Sequence, residues 1–383
     1  MFLSRYRYFL LILVVLIVIG SKLYLKWYYH TLSNPLDILK LKSQVEKNLE
    51  QWIDQGELVR EDGHIYTVDT AQIAIYAAQE GKEALYQKIL PMVKATIVDI
   101  PGQEYTVGMI SWRIPKDFSQ NPDFKRDASG TTEALRVAEA LWLGHQKFKL
   151  DHMDWVKKII LAYQKHQTID QNQWMIRNYY NLQTQAFAPN SYAVDYDPDF
   201  LWKIAQDTTD PELKSVAQTL SEKSADLLAK SISPSGLVHQ VMLPEIMTLL
   251  PTIKMIAFSP NGIEMINNAL TVAERCVHTC PSVIEATQKF LHKQEKFGRA
   301  YQAITGESLS KEGAGIVEYA AITRFACYVG DTQTLDRTLS DYALHLNTFL
   351  KWPAGVKIYV ASEVLMGLTC LERKYAQKIS QVQ

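Results

Sequence analysis

The stretch DASGTTEALRVAEALW, Asp127–Trp142, decides how the fold is read. It opens as a polar turn and runs straight into apolar residues at helical steps, Leu135, Val137, Ala138, Leu141 and Trp142. Ser129, Thr131 or Thr132 can cap such a helix. Glu133 falls in its first turn, where the positive end of the helix dipole favours a carboxylate. A core-facing helix that starts on a carboxylate recurs in YTVDTAQIAIYAAQEG, where Asp69 stands ahead of the apolar run.

Working outward, helical periodicity dominates the chain. PLDILKLKSQVEKNLEQWID, DTAQIAIYAAQEGKEALYQKILPMVKAT, DHMDWVKKIILAYQKHQ, PDFLWKIAQD and PELKSVAQTLSEKSADLLAKS all carry apolar residues three and four apart. NGIEMINNALTVAERCV, EGAGIVEYAAITRFACYVGD and the stretch 357–375 do the same. Few segments alternate as strands do; IYTVD and QEYTVGMISWRI are the extended candidates. About a dozen helices joined by short loops form antiparallel pairs, which must either stack openly or close into a ring. No strict repeat is visible, which argues against a regular solenoid. The connections 100–129 and 177–199 are long and uneven, and long loops at one end of a helical ring are where a site is built. The expected fold is all-α, an (α/α)6 toroid over residues 31–383, preceded by one transmembrane helix within residues 1–30.

That first segment has an apolar run from Tyr8 to Gly20, with Arg5 and Arg7 before it and Lys22 and Lys26 after it. Snorkelling lysines and the aromatic group Trp27, Tyr28 and Tyr29 extend its reach. No small-residue cleavage site follows, so an uncleaved anchor is expected rather than a signal peptide. The implied location is the cell membrane, single-pass, with the toroid outside the cytoplasm. The whole chain has 383 residues, with 47% hydrophobic and 21% charged, enough apolar material for a packed core. Its 40 basic and 41 acidic side chains leave no cationic footprint for nucleic acid. Cys276, Cys280, Cys327 and Cys370 form no CxxC pair, and Cys276 and Cys280 read as small core residues. His152, His239 and His278 have no metal-ligand spacing, and no Gly-rich phosphate loop is present, so neither metal nor cofactor is expected.

Asp69 and Glu133 each serve as a good helix start. At the same end of a toroid, however, they would face one cleft, and paired carboxylates in a cleft suit glycoside hydrolysis. Trp112 and Arg113 in GMISWRIPKDF, and Tyr192, Asp195, Tyr196, Asp197 and Trp202 in NSYAVDYDPDFLWKIA, add aromatic and acidic residues from the long connections. Aromatic faces there suit stacking on sugar rings.

The order of these elements resembles glycoside hydrolase family 8: an Asp-led helix, a Trp loop, the ASGTTEALRVAEAL helix, and an NSY loop before PDFLWKIA. It resembles in particular the branch associated with exopolysaccharide operons and the cellulases that accompany cellulose synthesis. The resemblance covers roughly residues 69–372. It implies an (α/α)6 toroid and an inverting, endo-acting hydrolase, with the acid at Asp69 and Tyr192 in the cleft. The family's usual residues are changed at both main motifs. Asp replaces Glu at position 69, and the second motif keeps Glu133 as its nearest carboxylate. The base is left among Glu133, Asp195 and Asp197, with Trp112, Arg113, Tyr192, Tyr196 and Trp202 as sugar-binding candidates.

The primary expectation is a membrane-anchored glycosidase that trims an exopolysaccharide, with polysaccharide synthase components as neighbours. The alternative is a catalytically silent toroid that binds the glycan or scaffolds the synthase complex. A lyase reading, with His64, Arg113 and Arg177 as its cationic and basic groups, ranks lowest.

Overall fold

The computed structural model describes residues 35–100, 102–121, 124–170, 173–242, 263–351 and 358–382. The expected membrane anchor at 1–30 lies outside the described residues. Among those described, no helix is long and apolar enough to cross a membrane.

Twelve α-helices are found among the described residues: α1 Pro35–Asp54, α2 Thr67–Gln79, α3 Glu83–Ala95, α4 Thr131–Phe148, α5 Met153–Gln164, α6 Pro198–Asp207, α7 Pro211–Lys230, α8 Ile266–Glu274, α9 Pro281–Lys293, α10 Ile316–Tyr328, α11 Thr332–Leu350 and α12 Ile358–Val382. They pair as α2 with α3, α4 with α5, α6 with α7, α8 with α9, and α10 with α11; the first helix pairs with the last. That last pairing joins the two ends of the helical chain and makes a sixth antiparallel pair. Helices α2, α4, α8, α10 and α12 form the inner layer. α12 packs on both α2 and α10, α2 on α4, and α8 on α10, while a 3₁₀ turn at Ala193–Asp195 fills the gap between α4 and α8.

Position in the ring explains composition. Helix α2 is buried from Asp69 to Ala78, and α10 from Glu318 to Ala326, so neither has a polar face. The outer α7, PELKSVAQTLSEKSADLLAK, keeps one buried stripe through Leu213, Ala217, Leu220 and Leu227 and leaves the rest to water. Local chemistry sets the boundaries. Pro198 sits in the first turn of α6, and the Asp197 carboxylate accepts the Phe200 N–H as its cap. Lys149 adopts φ 58° to stop α4. Gly81, at φ 68°, divides the predicted run 69–96 into α2 and α3.

The strand expectation needs correction. IYTVD is divided: His64–Tyr66 is a strand and Thr67 already begins α2. QEYTVGMISWRI holds a 3₁₀ turn at Glu104–Thr106 and a strand only from Arg113. The long connections contain further short strands that alternation could not reveal, because each is two to four residues long. Strand 64–66 pairs with 113–115, 128–130 with 179–181, 191–192 with 241–242, and 263–265 with 300–302, all antiparallel. Three of these strands, 64–66, 128–130 and 263–265, lead directly into an inner helix, so the N-terminal ends of α2, α4 and α8 share one rim. These hairpins tie the rim together through backbone hydrogen bonds such as Thr67 N–H to Trp112 O and Thr131 N–H to Asn178 O.

Cys276 and Cys280 are the buried core residues expected, both free thiols, and the other two cysteines, Cys327 in α10 and Cys370 in α12, form a disulfide. A bridge between residues 43 apart in sequence was invisible in the spacing, because it needs two helices to become neighbours.

The centre of the ring is ionic. Arg324 of α10, fully buried, donates Nε to Glu274 of α8 and Nη1 to Glu363 of α12, both at 2.6 Å. Glu363 also accepts the Gln72 amide of α2. Arg324→Met would leave two buried carboxylates without their cation, and should lower unfolding free energy by about 3–5 kcal/mol in urea titration. A loss under about 1 kcal/mol would show that the network adds little beyond packing.

Candidate active-site rim

The rim is built from acids placed at the starts of inner helices. Asp69, Glu133 and Glu318 are each the third residue of their helix, α2, α4 and α10. Asp195 ends the 3₁₀ turn before α6, and Glu264 lies on the strand before α8. Unpaired backbone N–H groups and the aligned dipole make the three helix starts favourable for a carboxylate.

Asp69 is 3% exposed and lines a cleft of about 680 Å³ with Arg60, Asp62, Tyr66 and the start of α12. Arg60 clamps it with two hydrogen bonds, Nε to Oδ2 at 3.0 Å and Nη2 to Oδ1 at 2.9 Å. Burial pushes the Asp69 carboxyl above its ordinary range, against the opposing pull of Arg60.

The wall beside it is aromatic and cationic. Tyr66 and Trp112 meet edge to face at 5.3 Å, Arg60 lies 3.9 Å over Tyr66, and Arg113 lies 4.4 Å over Trp112. Arg113 joins Asp62 at 2.8 Å to Asp127 at 3.0 Å. The Trp112 indole N–H donates to Asp127 at 2.6 Å, so its orientation is fixed from behind.

Glu133 and Asp195 form a second group. Asp195 is fully buried, accepting the Thr132 hydroxyl at 2.6 Å and the Tyr192 N–H at 2.7 Å. Burial pushes its carboxyl up to about 7; the two hydrogen bonds oppose this and the Glu133 charge adds to it. The Glu133 carboxyl is also raised by burial, while its own backbone N–H and the Arg275 charge oppose. Glu133 is half-buried and folds back over Gly130, where a Cβ would collide with its carboxylate. A larger residue at 130 would displace the Glu133 carboxylate from this position. Arg275 donates Nη1 to Val194 O at 2.6 Å, holding the turn that carries Asp195.

The remaining candidates are dispersed. Tyr192 stands on the rim, 37% exposed. Tyr196 is fully buried, with its hydroxyl paired to Ser191 and accepting the Ile176 N–H, so it is closed to a sugar. Asp197 is spent as the cap of α6 and lies 3.5 Å from Arg275 Nε, away from the rim. Trp202 is 43% exposed but packs beside His278, beyond the C-terminal end of α8. Of the lyase candidates, His64 and Arg113 both approach Asp62, while Arg177 lies over Phe187. Among the described residues no three His, Cys, Asp or Glu side chains converge to hold a metal ion.

The motif reading missed Arg60, Asp62, Asp127, Glu264 and Arg275. Glu264 is fully buried, accepting the Gln240 N–H at 3.0 Å and lying 2.8 Å from His239 Nδ1. A carboxylate two residues before a helix was a usable signal for Glu264; Arg60 and Arg275 had none, since their roles depend on partners brought in by tertiary packing.

No family model and no curated protein sequence matches the chain. Solved structures do. An alpha-amylase from Clostridium perfringens superimposes with a TM-score of 0.60 at 15% identity, covering 81% of this chain and 86% of that one. A cold-adapted family 8 xylanase in complex with substrate gives 0.59 at 14% identity, covering 82% and 81%. PssZ from Listeria monocytogenes gives 0.54 at 11% identity, covering 79% and 86%. At such identities the likeness carries the fold alone, and the fold of this chain is that of the family 8 glycoside hydrolases.

Proposed function

We propose that the chain is a glycoside hydrolase that binds a polysaccharide along the rim and cleaves it with Asp69 as general acid. The observation that carries this reading is Asp69 itself: a carboxyl on the wall of a cleft, raised by burial toward its protonated form, beside the aromatic wall of Tyr66 and Trp112. Asp195 has no exposed surface and Asp197 is off the rim, which leaves Glu133 as the base that activates water. Asp195 and Arg275 then act as positioning groups, setting the charge around Glu133 from opposite signs. Asp69 would protonate the leaving oxygen while water, deprotonated by Glu133, attacks the anomeric carbon; inversion follows from attack on the opposite face. Trp112, Arg113 and Tyr192 would hold sugar rings. The solved relatives include an alpha-amylase and a xylanase, so the fold leaves linkage and sugar to the rim side chains.

The N-terminal apolar run supports a membrane anchor, and the Cys327–Cys370 bridge supports an oxidising, extracytoplasmic compartment. An exopolysaccharide substrate and a neighbouring synthase belong to the same proposal.

A second reading, glycan binding without turnover, is favoured by one observation: the two-point clamp of Arg60 on Asp69 stabilises the ionised form, which cannot donate a proton.

Reducing-end release from xylan, β-glucan, amylose and bacterial exopolysaccharides separates the two. Asp69→Asn and Glu133→Gln should each lower release by about 100-fold or more. Binding of one of these polymers with no release by the unaltered chain would establish the second reading. If Asp69 is the acid, Arg60→Ala removes the interaction that lowers its pKa. The alkaline limb of the pH–rate profile should then move to higher pH; an unmoved limb would exclude Asp69 from that role. Asp195 offers a test by stability. Its folded pKa, near 7, lies above the unfolded value, so its burial favours the folded state at pH 4 and progressively less as pH rises through 7. Asp195→Asn should flatten the fall in denaturant midpoint between pH 5 and pH 8, and an equal fall in both proteins would place the titration elsewhere.

A further inference from the structure

The opposite end of the ring holds a second cavity, of about 500 Å³. It is reached between the C-terminal ends of inner helices: Gln79 ends α2, Glu274 ends α8, Tyr328 ends α10, and Lys147 is the penultimate residue of α4. The rim chemistry makes no use of it.

Three of its lining side chains, Arg136, Arg275 and Glu274, are about nine-tenths buried. Glu274 Oε1 has no hydrogen-bond partner among the described residues, and Arg275 Nε has only the 3.5 Å ion pair with Asp197; buried polar atoms rarely stay so without a ligand or water. The carboxylates that line the cavity are largely committed. Asp199 accepts from the N–H groups of His278 and Thr279 and from the Thr279 hydroxyl. Asp197 accepts from Phe200 N–H, and Glu274 Oε2 from Arg324. The cations are freer. Arg136 has one long contact, 3.4 Å to Glu139, and Lys147 and Lys203, both exposed, have no ion pair among the described residues. Arg136 also sits close enough to Arg275 to help burial hold its pKa down to about 10. Two guanidiniums lining one cavity, with two lysines nearer solvent, are relieved by an anion among them. Glu274 Oε1 adds a free acceptor, suited to a hydroxyl. Tyr328 and Phe200 supply apolar wall, and the volume is that of a small-molecule site.

We propose that this mouth binds a small hydroxylated organic anion, its carboxylate or phosphate held by Arg136, Lys147 and Lys203 and a hydroxyl accepted by Glu274.

Calorimetric titration of the full chain with D-glucuronate, glucose 6-phosphate and neutral glucose tests it. At least one of the two anions should bind, and glucose should bind at least about tenfold more weakly. Glucuronate alone would identify a carboxylate ligand, and glucose 6-phosphate alone a phosphate. The surface double variant Lys147→Ala/Lys203→Ala, which leaves the buried residues in place, should weaken anion binding by about tenfold, and Arg136→Gln should do the same with an unchanged circular dichroism spectrum. Binding of neither anion, glucose binding as tightly as the anions, or anion binding unaltered in both variants would overturn the proposal.

Discussion

The ring depends on Arg324. Its guanidinium has no exposed surface, and it joins Glu274 and Glu363 while Glu363 holds Gln72. Four inner helices, α2, α8, α10 and α12, thus meet in one hydrogen-bonded group. Taking charges out of water is expensive, so such a group is stable only when geometry and pairing are good. Burial pushes the Glu274 carboxyl up to about 7 against the pull of Arg324, while Arg324 and Gln72 together hold Glu363 below its ordinary value. One cation therefore serves two acids unequally. An apolar centre could pack as tightly, but it would accept sliding of one helix past another; directional bonds fix the relative height of the helices.

Relative height is what the rim needs. The acids of α2, α4 and α10 occupy the same helical position, and they face a common end because the inner helices are held level. Short antiparallel strands then link each helix start to the next connection. Two groups emerge: Asp69 with Arg60 in the aromatic cleft, and Glu133 with Asp195. Arg275 connects the second group to the far side of the ring. It holds Val194 O in the turn before Asp195 and also lines the opposite cavity. A charge placed near Arg275 on that side acts on the same guanidinium whose charge opposes the rise of the Glu133 carboxyl.

Much of this was legible in the residues. The 3.6-residue period located the helices, and PLDILKLKSQVEKNLEQWID and PDFLWKIAQD coincide with α1 and α6 end to end. Acids at helix starts were visible for Asp69 and Glu133. The strands were not, because two- to four-residue strands carry too little alternation to stand out. Nor was the difference between Tyr192 and Tyr196. They lie four residues apart in one polar stretch, yet the first is on the rim and the second is sealed under it. Asp195 and Asp197 likewise separate: the first ends the 3₁₀ turn and is held by Thr132 and Tyr192, while the second caps α6 and lines the opposite cavity.

By itself the sequence determined that the described chain is helical, that its helices pair, and that carboxylates begin the core-facing ones. Those properties follow from local periodicity and from the dipole of a helix start, and both act over a few residues. Tertiary structure alone decided which acid meets which cation. The Asp69–Arg60 clamp bridges nine positions, Arg324 to Glu274 fifty, and Arg275 to Val194 eighty-one. It also decided that Cys327 meets Cys370 and that a second cavity opens at the far mouth. The physical reason is that charge pairing and burial depend on distance in space, and closing the ring sets those distances.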